Sequence, residues 1–198
     1  MNNNKLSLFV FLFALLTQTS AVSSQSLQTI PKIGIGINGL DFSVEIPVAE
    51  KIIIEPAVGL GPSYAFSNMD GLTSKMGYFW DLLQPSVHVS IHGKFFYNRD
   101  KRILKRKSIL LNSGKFVGLK VKYVSTPLTN AESHWLTKTL LANLNWGGQR
   151  NIGRHWNYSY SMGLGYGHNI ESSYGTFYPA FDLKIAYVLS FFWGVKKR

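Results

Sequence analysis

The sequence predicts an all-β protein, an eight-stranded antiparallel up-and-down transmembrane β-barrel formed after a signal peptide is cleaved. Three observations lead there. A short apolar leader precedes the rest, bulky apolar residues then alternate with small or polar ones, and the alternating segments number eight. Alternation at period two sends successive side chains to opposite faces of a strand. An even number of strands lets a meandering sheet close with both of its ends on one side.

The leader comes first. Lys5 precedes an apolar run at residues 6–16, and the small residues Ser20, Ala21, Val22, Ser23 and Ser24 follow. A run this short matches a signal h-region and falls well below the ~20 residues that a membrane-spanning helix needs. We therefore divide the chain into a signal peptide, residues 1–24, and a barrel, residues 25–198, with cleavage between Ala21 and Gln25. No later stretch is apolar enough for a membrane helix, so the mature chain is either an exported soluble protein or a barrel crossing with strands.

The strands follow in order. Ile33, Ile35 and Ile37 form the first, and Leu40, Phe42, Val44 and Ile46 the second, after a phase slip at the hairpin dipeptide Asn38-Gly39. Ile54, Pro56, Val58 and Leu60 mark the third, and Val87, Val89 and Ile91 the fourth. Val117, Leu119, Val121 and Tyr123 mark the fifth, and Leu140, Ala142, Leu144 and Trp146 the sixth. The seventh is the clearest: Trp156, Tyr158, Tyr160, Met162, Leu164 and Tyr166 against Asn157, Ser159, Ser161, Gly163 and Gly165. Phe181, Leu183, Ile185, Tyr187, Leu189 and Phe191 form the eighth, with Val188 and Phe192 as apolar exceptions on its other face.

The less apolar face is largely Gly, Ser, Ala and Asn. That is a poor coat against water and a good filling for a narrow lumen. The apolar face is rich in Trp, Tyr and Phe near strand ends, as the girdles of outer-membrane barrels are. A closed sheet also satisfies every backbone group internally, which a bilayer demands. The membrane barrel is accordingly favoured over a soluble, lipid-binding exported barrel, and outer-membrane lipid is its expected surrounding, with a monomer as the expected state.

Composition narrows function. With no Cys there can be no disulfide, thiolate metal site or cysteine nucleophile. The net charge of +11 would suggest nucleic acid, but no nucleic-acid motif accompanies it. Its distribution suggests a collar instead. Short or basic connections follow strands two, four and six (47–51, 98–107 and 149–154), whereas longer polar ones follow strands three, five and seven (67–77, 125–136 and 167–178). Short turns belong on the periplasmic side. There Lys101, Arg102, Lys105, Arg106, Lys107, Lys196, Lys197 and Arg198 form a basic rim, with Lys32, Lys51, Arg99, Arg150 and Arg154 beside them. Lipid headgroups are its favoured partner, ahead of an anionic periplasmic polymer.

The inward positions carry charges of both signs. Asp41, Glu45, Glu55 and Asp182 face Lys94, Lys120, Lys122 and Lys184, with His88 and His92 between them. Eight strands leave an interior just wide enough for side chains, so a paired network that plugs the lumen is expected. We expect Glu45, Glu55 and Asp182 to pair with Lys120, Lys122 and Lys184. No catalytic, cofactor or metal residue is assigned. His88-Val89-Ser90 matches the His-x-Ser of lipid A deacylases, but no Asn follows, no orienting acid is evident and both side chains read as lumenal. His134, His155 and His168 lack metal-ligand spacing. Gly34-Ile35-Gly36 and Gly163-Leu164-Gly165 lie inside strands and are no nucleotide loops.

Two stretches carry a resemblance. Lys94-Phe95-Phe96-Tyr97-Asn98-Arg99, with Lys101-Arg102 and then Asn112-Ser113-Gly114, is one. Arg150-Asn151-Ile152-Gly153-Arg154-His155-Trp156-Asn157-Tyr158, with Gly163-Leu164-Gly165-Tyr166, is the other. They resemble an uncharacterised family of small outer-membrane β-barrel proteins of Gram-negative bacteria, over roughly the second half of the chain. The resemblance implies fold and location, and no activity or functional residue. The expected function is an integral outer-membrane barrel with a plugged polar lumen and a structural or surface-binding role, without catalysis or cofactor. A narrow porin-like channel for small or hydrophobic solutes is the first alternative, and a lipid A-modifying enzyme the second.

Overall fold

The computed structural model describes residues 27–66, 78–129, 136–171 and 173–189. Its strands are β1 (Ile30–Gly36), β2 (Gly39–Ala49), β3 (Ile52–Phe66), β4 (Tyr78–Phe95), β5 (Gly114–Pro127), β6 (Thr139–Ile152), β7 (Trp156–Asn169) and β8 (Gly175–Val188). Each pairs antiparallel with its successor, and β1 pairs with β8, so the sheet closes into an eight-stranded ring. The proposed leader, the 67–77 connection and the C-terminal residues Lys196, Lys197 and Arg198 lie outside the described residues, as do Leu189's followers Phe191 and Phe192.

Period two dictates which side chains fill the ring. Ile33, Ile35, Val58, Val89, Leu119, Leu144, Leu164 and Phe181 point out and are exposed, whereas Lys32, Glu45, Glu55, His88, His92, Lys94 and Lys122 are buried inside. Polarity is therefore inverted relative to a water-soluble barrel, with charge at the centre and hydrocarbon on the outside.

The first hairpin corrects one expectation. Its two turn residues are Ile37 and Asn38, and Gly39 opens β2 opposite Gly36. Gly39 has φ of +99°, and a Cβ there would lie 2.0 Å from the Leu60 carbonyl oxygen. Glycine is required because the backbone is left-handed and the neighbouring strand touches it.

The strands also run beyond the segments legible from alternation. In β4 the period breaks because Pro62 of β3 stands opposite Pro85, and the register then jumps to Ser63 opposite Asp81. Neither proline can donate to the ladder, so pairing stops there and Leu82, Leu83 and Gln84 bulge out. The longer strands shorten the last connection to residues 170–174.

Most unexpected from sequence is the connection between β4 and β5. It holds a short helix, α1 (Arg99–Leu104), and a 3-10 turn (Leu110–Asn112). The helix ends with Lys107 N–H donating to the Arg102 carbonyl and Arg106 N–H to that of Ile103, around Arg106 at φ 51°. This is the doubly bonded left-handed cap that usually takes glycine. The chain then turns back into the ring. Leu111 and Asn112, both left-handed at φ 50° and 54°, are buried, and Leu111 packs with Ile30 and Val188. The connection is thus a plug in the mouth where β1 begins and β8 ends.

Gly39→Ala tests the hairpin. We expect a loss of about 1–3 kcal/mol from left-handed strain alone, more if the Leu60 carbonyl cannot retreat, measured as a lowered urea midpoint.

Candidate functional site

The interior divides into three layers. At the plugged mouth, Asn112 ties the β4–β5 connection to β2 and to the segment before β1. Its side-chain amide donates to Glu45 Oε2 at 2.7 Å and to the Gln28 carbonyl at 2.8 Å. Gln149 donates to Glu45 Oε2 at 3.1 Å and to the Leu111 carbonyl at 3.0 Å, which Asn157 also meets at 3.0 Å. Gln149 was expected at the start of a turn; it lies instead in β6 with its side chain fully buried.

The middle layer is ionic. Lys32 Nζ lies 2.6 Å from Glu45 and 2.9 Å from Glu55. Lys94 Nζ lies 3.3 Å from Glu45 and forms a closer pair with Glu55. Lys184 bridges Asp41 and Glu55, at 3.2 Å from each. Lys120 pairs with Asp182 at 3.1 Å. His92 Nε2 meets Asn145 Oδ1 at 3.2 Å, and its ring abuts Phe116 edge-on. Only about 20 Å³ of free space remains between Asp41, Glu55, His92 and Lys184, room for about one water molecule.

Two expectations change here. Lys32 does not join the basic rim: the inward phase of β1 carries it between two carboxylates, where it is 1% exposed. Lys122 is inside the ring as expected, yet it pairs with no acid. Its Nζ is buried without a hydrogen-bond partner and stands 5.2 Å from the centre of the Tyr64 ring. The acids within reach are already engaged by Lys32, Lys94, Lys120 and Lys184. Glu45 therefore pairs with Lys32 and Lys94, Glu55 with these and Lys184, and Asp182 with Lys120. His88 Nδ1 is likewise buried without a partner.

The third layer, at the end carrying the 67–77 connection, is aromatic. Tyr64, Phe66 and Tyr178 pack with Val124, Leu141 and Ala180, and Tyr78 and Tyr174 cover them. The ring of Phe66 lies against Gly167, where any Cβ would sit 2.1 Å from it. Tyr178 donates to Asn143 Oδ1 at 2.5 Å and Tyr64 to Asn38 Oδ1 at 3.0 Å.

The basic rim is only partly a surface. Lys101, Lys105, Arg106 and Lys107 are exposed on the β4–β5 connection, and Lys51 pairs there with Asp100 at 2.5 Å. Arg102 is not part of that surface. Its guanidinium folds under the helix to donate to the Ser108 carbonyl, holding the return toward the plug, and Arg99 is buried too. Burial holds both guanidinium pKa values below the arginine norm, and the charge of Arg150 adds to the effect at Arg102. Among the described residues no three His, Asp or Glu side chains converge as a metal site.

Stability should separate these lysines from their acids. Glu45→Ala leaves Lys32 and Lys94 short of a counter-charge and should cost about 3–5 kcal/mol if the layer is dry. Lys122→Met removes a cation without a counter-ion and should cost far less, or stabilise. Denaturant midpoints in one detergent compare the two, and equal losses would contradict this ion-pair assignment. Comparison with protein-family models, curated proteins and solved structures returns no match for this chain.

Proposed function

We propose that the chain is exported through a cleaved signal peptide and resides in the outer membrane of a Gram-negative cell. There it is a non-conducting barrel with a structural or surface-binding role and no catalysis. One observation carries this reading: the outward positions form an apolar band around the whole ring. Within the described strands, its ionisable side chains other than tyrosine are Lys115 and Arg150 toward one end and Asp81 and His168 toward the other. Water would not tolerate such a surface around a core of ion pairs, and hydrocarbon would. Aromatic pairs sit near both edges of the band, Trp156 with Tyr187 and Tyr166 with Phe177. Strands of 14 residues in β5 to β8 exceed the ~9–11 that a tilted strand needs to cross a bilayer.

The plug and the ionic layer argue for a shut lumen over a channel. A hydrated solute cannot pass a space of about 20 Å³ bounded by Lys184, Glu55 and His92. His88 and Ser90 are both buried inside, away from the outward face where lipid chemistry would take place. The exposed Lys101, Lys105, Arg106 and Lys107 suit anionic headgroups, each worth about 1 kcal/mol near a charged surface.

Three measurements test this. The protein should fractionate with outer membrane and migrate differently before and after heating; recovery in the soluble periplasm refutes the location. Leu164→Arg, on the outward face, should cost about 2–4 kcal/mol near mid-bilayer, and a polar change at the half-buried, inward Ser159 far less. In planar bilayers the purified protein should carry no steady current. A defined open channel would promote the solute-channel reading instead.

A further inference from the structure

The ring is not equally tall all round. β1 has 7 residues and β2 has 11, whereas β3 and β8 have 15 and 14. Pairing of β1 with β8 stops at Gly36 opposite Lys184, and pairing of β2 with β3 stops at Leu40 opposite Leu60. Above the Ile37-Asn38 turn, the upper parts of β8 and β3 thus face each other without a strand between them among the described residues. Asn38 marks the floor of this gap, its side chain bonding the Phe181 carbonyl at 3.4 Å on one side and the Tyr64 hydroxyl at 3.0 Å on the other. The Phe181 and Leu183 carbonyls turn toward the gap side. By the two-residue period Pro179 turns its missing N–H the same way. Proline at that place protects an unpaired edge, as expected of a strand built to stay open.

Behind the gap lies a cavity of about 120 Å³. Outward-facing Ile37 and Phe181 line it together with Trp80, which stands opposite inward Tyr64, and with inward-facing Lys120, Lys122 and Asn145, so it runs through the wall. Asp182 also lines it, held by Lys120 through Oδ2 with Oδ1 left unbonded, whereas Lys122 is buried without a hydrogen-bond partner. Among the described residues, the five inward lysines (32, 94, 120, 122 and 184) exceed the four inward carboxylates (41, 45, 55 and 182) by one charge. A single negative charge would balance the interior, and a phosphate monoester, at about −1.5 to −2, would overshoot. An apolar cavity of about 150 Å³ takes a benzene ring, so this one suits a carboxylate with its first methylenes and not a sugar or a whole lipid.

We propose that this cavity binds the carboxylate of one long-chain fatty acid. Lys122 is its counter-ion, Tyr64, Tyr78 and Tyr178 of the lining hold its first methylenes, and its tail leaves through the gap between β3 and β8. The tail's exit into lipid rests on the outer-membrane reading; the headgroup site does not.

Native mass spectrometry of the protein released from detergent, with palmitate as the probe, tests it. One palmitate per chain should bind saturably, and palmitate methyl ester at least tenfold more weakly. Lys122→Met should lose at least tenfold in affinity and Lys122→Arg should retain binding. Ala180→Leu, which fills the cavity and leaves every charge in place, should also lose it, with heat-modifiable migration checking that each variant folds. Equal binding of the ester, undiminished binding by folded Lys122→Met, or a preference for lysophosphatidate over palmitate would each overturn the proposal. A protein recovered from the soluble periplasm that still takes one palmitate through Lys122 would refute the membrane reading and leave the site. A membrane-inserted barrel that takes none would refute the site and leave the membrane reading.

Discussion

A carboxylate cut off from water must be neutralised nearby, and Glu45 and Glu55 impose that demand on the whole interior. Two acids on adjacent strands can stay ionised only if cations reach them from several directions. Lys32 comes from β1, Lys94 from β4 and Lys184 from β8. Strands at opposite sides of the chain are thereby tied to one charged centre, which a ring can bring together and an open sheet cannot. Buried pairs of this kind are weak sources of net stability, because desolvation offsets attraction. Their value lies in specificity. Slipping any one of these strands by a single residue would send its charge to the apolar outside.

The same constraint explains why the interior is layered. Ion pairs fill the middle, where the ring is complete and every strand contributes. Toward the taller end β1 and β2 have stopped, and stacked tyrosine and phenylalanine side chains take over because fewer strands are left to supply partners for charge. Small residues make room: Gly167 for the Phe66 ring and Gly165 for that of Tyr178.

How much of this could be read from the chain follows from which features have a period. Strand count, order and facing were legible because alternation repeats, and so the inward placement of Glu45, Glu55, His88, His92, Lys120, Lys122, Asp182 and Lys184 was accessible. Partner choice was not, since it depends on register across the ring. Lys32 was misread for lying beside Pro31 at the start of a short strand, where the phase is hard to set. The plug was illegible because residues 105–113 have no period at all, and its key residues, Leu111 and Asn112, adopt a backbone conformation unusual for their types. The gap arises from unequal strand lengths, and strand ends are where patterns fade.

The plug has a consequence for how the ring comes apart and together. Its bonds reach back 84 residues to Gln28 and 67 to Glu45, and forward 38 to Gln149 and 46 to Asn157. Leu111 also rests on Ile30 and Val188, at the two strands that seal the seam. No partly zipped sheet offers all these partners together, so the segment can seat only as the seam shuts. Once seated it works as a latch. The β1–β8 seam cannot part without unseating it, which concentrates several losses in one opening step and slows unfolding more than its few bonds would contribute to equilibrium stability.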